Sequence, residues 1–185
     1  MHGRIKGTVL VSAVKALRTQ RDKAEPLLSE SARRYLHEER VLLASWYPEA
    51  DGFEIFRAFL LINMPGAGIK AWVEMGRIAA LQHSRDHYRH LIAERDTRQL
   101  MSQAGVLFKS QHDTGEMIAS IERMGEAFVT LSGFGALCSE WSHMICGYLT
   151  GLLQATGCAN VSVKVIDRDF SKGDASFRMT WTDPA

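Results

Sequence analysis

Apolar and polar positions recur at helical spacing up to about residue 112 and alternate after Gly115. Val9, Leu10, Val14 and Leu17 fall on one side of a first helix, with Lys15, Arg18 and Arg21 on the other. Pro26 suits the first turn of a short helix. The pattern continues over residues 30–43 through Tyr35, Leu36 and Leu43. Ser45-Trp46-Tyr47-Pro48 interrupts it, because the residue before a proline is pushed out of the helical region; Trp46 and Tyr47 read as loop anchors. A helix is predicted over 49–62, with Phe53, Phe56, Phe59 and Leu60 on one face, ending in the turn signals of 63–68. Another is predicted over 69–83, with Trp72, Met75, Ile78, Ala79 and Gln82 as its stripe and a further turn or two over 87–92. Asp96 or Thr97 caps a helix over 98–111 whose apolar positions include Leu100, Met101, Ala104, Leu107 and Phe108.

Past Gly115 the period becomes two. Met117, Ala119 and Ile121 form one strand face, and Ala127, Val129 and Leu131 another, with a hairpin turn at Met124-Gly125-Glu126. A long apolar helix follows over 139–156, with Trp141, Ile145, Tyr148, Leu149 and Leu152 as its stripe and Gly157 as its cap. Val161, Val163 and Val165 make a third strand, and Ala175 to Trp181 a fourth. Segregated helices and hairpins predict an α+β fold, with N-terminal helices packed with a four-stranded antiparallel sheet in one domain over 1–185.

Composition narrows the class without naming a function. The 185 residues are 46% apolar and 23% charged, with 22 Lys+Arg against 21 Asp+Glu. This excludes a disordered chain and gives no basic excess for nucleic acid. No run reaches the length of a transmembrane span, and the short N-terminal apolar run reads as fold, not leader. Three cysteines without a C-x-x-C suit a reduced cytoplasm and buried structural thiols. The first 23 residues hold six Lys+Arg and one Asp, which suggests a solvated helix face, or a patch for a partner or acidic lipid.

Chemical motifs are sparse. His83, His87 and His90 would share a face on a continuous helix and could meet a metal, but Arg85 and Arg89 repel a cation, so no metal is expected. His112 follows an apolar stripe and precedes a strand; such an imidazole could ligate haem iron or simply favour a helix end. Cys138 and Cys146 lack a clear activating partner. Gly147 and Gly151 leave one side of their helix bare, open to close approach by another helix or the sheet. With no nucleophile or acid–base pair standing out, no enzyme is expected.

Gly3-Arg4-Ile5-Lys6-Gly7, Ser45-Trp46-Tyr47-Pro48, Glu74-Met75-Gly76-Arg77, His112-Asp113-Thr114-Gly115, Gly147-Tyr148-Leu149 and the segment from Gly173 to Trp181 together resemble a myxobacterial paralogous family of uncharacterised proteins. That family is distantly similar to a superfamily of haem-nitric-oxide-binding domains, vinyl-reductase-type sensor domains and TRAPP tethering subunits. The resemblance implies helices on an antiparallel sheet, an apolar pocket and a homodimer. The sequence departs from it in two places. No cysteine flanks Gly173-Asp174, where the vinyl-reductase-type domains hold zinc, and Val129-Thr130-Leu131-Ser132-Gly133 lacks the Tyr and Arg of the Tyr-x-Ser-x-Arg motif that holds haem propionates.

The leading expectation is a non-catalytic cytoplasmic sensory domain. It would bind a hydrophobic small molecule or lipid and signal through a dimer or partner surface. Trp72, Phe108, His112, Trp141 and Tyr148 are the candidate ligand-binding residues. A ligand-free interaction scaffold ranks second, a haem or metal sensor third and an enzyme last; no cofactor is expected.

Overall fold

A computed structural model describes residues 3–37, 39–86, 89 and 96–183. Two compact units emerge, one of residues 1–68 with 110–114 and the other of 69–109 with 115–185.

The first unit is built around a very short strand. β1 (Arg4–Lys6) runs antiparallel to β2 (Trp46–Pro48), with Ile5 opposite Tyr47. Ile5 also bridges to His112, and the Asp113 N–H donates to the Arg4 carbonyl at 3.1 Å. The expected loop at Trp46-Tyr47 is therefore a strand. The extended backbone that Pro48 imposes on Tyr47 suits pairing as well as it suits a loop. Around this ribbon lie α1 (Gly7–Arg18), α2 (Arg21–Ala24), α3 (Glu30–His37) and α4 (Glu49–Asn63). Leu10, Ala13, Val14 and Leu17 of α1 are buried, as are Ile55, Phe56, Ala58 and Leu60 of α4. The helical pattern expected over 30–43 stops at His37, and Leu42 and Leu43 are each 53% exposed.

The second unit holds α5 (Ile69–Asp86), α6 (Thr97–Ser102), α7 (Ala104–Gln111), the hairpin β3 (Glu116–Arg123) and β4 (Glu126–Ser132), α8 (Ser139–Ala155), and the hairpin β5 (Ala159–Asp169) and β6 (Asp174–Thr182). The four strands form one antiparallel sheet in the order β3-β4-β6-β5. The α+β class and this sheet agree with the alternation read from the sequence. Asp96 caps α6 by accepting the Arg98 and Gln99 N–H groups, but the single helix expected over 98–111 is two, parted at Gln103.

The buried stripe of α5 differs from the expected one. Ile78 and Gln82 are exposed, whereas Trp72, Gly76, Ala80 and His83 are buried. The cause is the packing of α8 directly on α5. A Cβ at Gly147 would lie 1.8 Å from the Val73 carbonyl oxygen, and one at Gly76 would lie 2.0 Å from that of Met144. The two backbones therefore meet through glycine, and small residues of α5 face the contact in place of the larger apolar ones.

Candidate functional site

His112 owes its place to the ribbon. Residues directly opposite in a ladder point to the same face, and so do residues two apart in one strand. Ile5, Tyr47 and His112 therefore share a face, and all three are buried. The Glu49 N–H donates to the Gly3 carbonyl at 2.9 Å, which carries the ladder one step past Pro48 and puts Glu49 beside this row. Glu49 also opens α4, where the positive end of the helix dipole favours a carboxylate.

The Glu49 side chain is fully buried, at 0% exposure, and its Oε1 is hydrogen-bonded to His112 Nδ1. A carboxylate has no proton to give, so Nδ1 is the donor in this pair; in a neutral imidazole that leaves the lone pair to Nε2. Glu49 Oε2 is also buried and has no hydrogen-bond partner among the described residues, and the same is true of Thr114 Oγ1. Gly3 makes room for both. A Cβ there would lie 2.7 Å from Glu49 Oε2 and 2.8 Å from Thr114 Oγ1. The neighbouring cation does not neutralise Glu49 directly, because the Arg4 Nε pairs with Asp113 Oδ2 at 2.6 Å. Burying a carboxylate is costly unless it is paired, so the His112 contact is a main compensation for Glu49.

The other candidate residues lie in the second unit. Phe108 and Trp141 meet through Phe134, which sits edge-on to Phe108 at 5.4 Å and to Trp141 at 5.8 Å between ring centroids. Phe134 is fully buried, yet between two glycines it carries no periodic signal and reads as loop. Tyr148 is hydrogen-bonded through its hydroxyl to His83 Nδ1 at 3.0 Å, and Trp72 is buried in α5. Glu49, which bonds His112, and Gly3 and Thr114, which lie beside it, carry no sequence signal of a site. An acidic residue after a proline reads as an ordinary helix start, and nothing local shows that it is buried.

Of the histidine group, His83 bonds Tyr148, while His87 and His90 lie outside the described residues. No group of three potential metal ligands occurs among the described residues. Burial pushes the Cys146 thiol up to about 11 and raises Cys138 and Cys158 as well, which opposes thiolate chemistry. An open groove of about 690 Å³ along α3 is lined by Glu25, Glu30, Ser31, Arg33, Arg34 and His37, a polar lining unlike the expected apolar pocket. No described helix is long and apolar enough to cross a membrane.

No protein-family model matches the sequence, and no curated protein matches it, so the resemblance to a myxobacterial family finds no support. Solved structures do match. One is an oxygen-binding H-NOX domain related to soluble guanylate cyclases, 15% identical over 97% of this chain and 96% of that one, with a TM-score of 0.68. A Cs H-NOX carrying 4-cyano-L-phenylalanine is 16% identical over 98% of both chains, with a TM-score of 0.70. A T. tengcongensis H-NOX mutant is 16% identical over 98% of this chain and 100% of that one, with a TM-score of 0.67. At such identities the likeness speaks to architecture: over nearly its whole length, the chain has a fold similar to that of H-NOX domains.

Proposed function

We propose that this chain is a non-catalytic sensory domain that holds haem through His112. The observation that carries the reading is the buried His112–Glu49 pair. A histidine that ligates a metal commonly gives its other ring nitrogen to a carboxylate, which fixes the tautomer and raises the basicity of the ligating atom. Here Glu49 holds Nδ1, and Nε2 of the neutral ring would be the atom to ligate a haem iron. The fold adds support, since the similar structures are H-NOX domains and include studies of haem distortion and of an oxygen complex. This changes the order read from sequence, where haem ranked third.

When bound, haem supplies an iron able to take a small gas molecule. The protein's part is to hold and orient the ligand nitrogen. No Tyr-x-Ser-x-Arg occurs anywhere in the sequence, so this chain lacks that means of holding the propionates. Haem would then depend more heavily on the His112 bond than it does in a domain that has the motif. Trp72, Phe108, Trp141 and Tyr148 stay as candidate ligand-binding aromatics of the second unit taken by itself, and a dimer or partner surface as the route of output.

The test is titration of purified protein with haem, followed by visible absorption, with native mass spectrometry of the same sample. A Soret band with 1:1 haem, abolished in His112→Ala and restored by imidazole in His112→Gly, is the expected result. Wild-type protein that gains no Soret band overturns the haem reading.

A further inference from the structure

Resting on that reading, we infer that Glu49 is a positioning residue that gives His112 anionic character and so stabilises ferric over ferrous iron. Three observations converge on it. First, Glu49 is fully buried and bonded through Oε1 to His112 Nδ1. Second, its Oε2 has no hydrogen-bond partner among the described residues, so less of its negative charge is dispersed onto other donors. Third, Arg4, which follows Gly3 in the ribbon, is engaged by Asp113 through both its backbone N–H and its Nε, each at 2.6 Å. A carboxylate so placed draws the Nδ1 proton toward itself and raises the electron density at Nε2. A more basic ligand nitrogen would favour the higher oxidation state of the iron, because a hydrogen bond to the other ring nitrogen of the ligand is one of the levers on haem potential.

Gly3 belongs to the same device. A side chain at this position would meet the carboxylate, since its Cβ would lie 2.7 Å from Oε2 and 3.3 Å from Cδ of Glu49. Only a bare Cα leaves the glutamate room to lie across the ribbon toward His112.

The experiment compares haem-loaded wild type with Glu49→Gln, Glu49→Asp and Gly3→Ala. It reads the midpoint potential and the iron–histidine stretching band of the ferrous form by resonance Raman. Glu49→Gln is expected to keep the Soret band and to lower that stretching frequency. It should also shift the ferric-to-ferrous ratio at a fixed potential about tenfold toward ferrous, which for one electron is about 59 mV. Glu49→Asp should restore part of both shifts. Gly3→Ala, which moves the carboxylate without removing it, should shift both readouts in the same direction and keeps the test decisive if Glu49→Gln does not fold. A haem-loaded variant whose potential and stretching band match wild type overturns the role of Glu49 and leaves the haem reading standing. Wild type without a Soret band removes both.

Discussion

The ribbon around His112 and the α5–α8 pair bury their backbones by opposite means. In the helix pair the contact surface is bare backbone: Gly76, Gly147 and Gly151 each leave too little space for a Cβ. In the ribbon a glycine also clears space, but a carboxylate fills it, and Glu49 lies over Gly3 to reach His112. Close packing gains dispersion and excludes water without needing any particular chemistry. A buried Glu–His pair is a poor way to gain stability, because desolvating the charge offsets most of its attraction. The first arrangement is scaffold. The second makes sense where the chemistry itself is used, which is why the functional reading rests on the ribbon.

If that contrast is right, the largest stability losses belong to the second unit. Phe134→Ala removes the ring that joins Phe108 and Trp141, and should cost about 3–5 kcal/mol by denaturant unfolding. A loss below 1 kcal/mol would mean that these rings pack independently. Gly147→Ala comes next. Its Cβ would lie 1.8 Å from a carbonyl oxygen, so the helices must part, at a cost at the upper end of the roughly 1–3 kcal/mol of overpacked cores. A neutral Gly147→Ala would break the claim that backbone meets backbone there.

The ribbon should respond less in stability and more in chemistry. Glu49→Ala leaves a buried His112 N–H without its acceptor, at a cost of about 1–3 kcal/mol in the haem-free protein. The sharper measurement is the double-mutant cycle with His112→Ala. A coupling of at least about 0.5 kcal/mol is expected for residues in direct contact. Additive losses would show that the pair is not energetically joined, and the contrast between the regions would then collapse into ordinary packing.

The scaffold was legible in the sequence and the ribbon was not, for a physical reason. Hydrophobic alternation reports burial on a sheet face, so β3, β4 and β6 could be read residue by residue, and the bare glycine side of α8 announced a close neighbour. Periodicity carries no information about which glycine of α5 that neighbour meets, so the stripe was drawn through Ile78 instead of Gly76. The ribbon joins Gly3, Glu49 and His112 through strand pairs of three residues or fewer, and Glu49 and His112 stand 63 residues apart in sequence. Strands so short show no alternation, and a buried glutamate looks like a solvated one until its neighbours are known. His112 was singled out only because an isolated imidazole after an apolar stripe invites chemistry.

The smallest effect tests whether polar burial in the first unit reaches beyond the ribbon. Tyr35 is fully buried and its hydroxyl donates to Asp51 Oδ2 at 3.0 Å; Asp51 also accepts from Ser31 at 3.1 Å and from Arg34 at 3.3 Å. Tyr35→Phe leaves Asp51 with two partners, so the expected loss is only about 1 kcal/mol near neutral pH. Burial, reinforced by Asp51 against the opposing pull of Arg34, holds the phenol well above its ordinary value of 10.0. A group raised in the folded state stabilises fully below its unfolded value and loses that contribution as pH climbs toward the folded one. The stability gap between wild type and Tyr35→Phe should therefore stay constant up to about pH 10 and shrink above it, because only wild type has a phenol to ionise on unfolding. A gap that held steady through pH 11 would mean that the Tyr35 hydroxyl ionises as easily folded as unfolded, and that buried polarity in this unit is confined to the surroundings of His112.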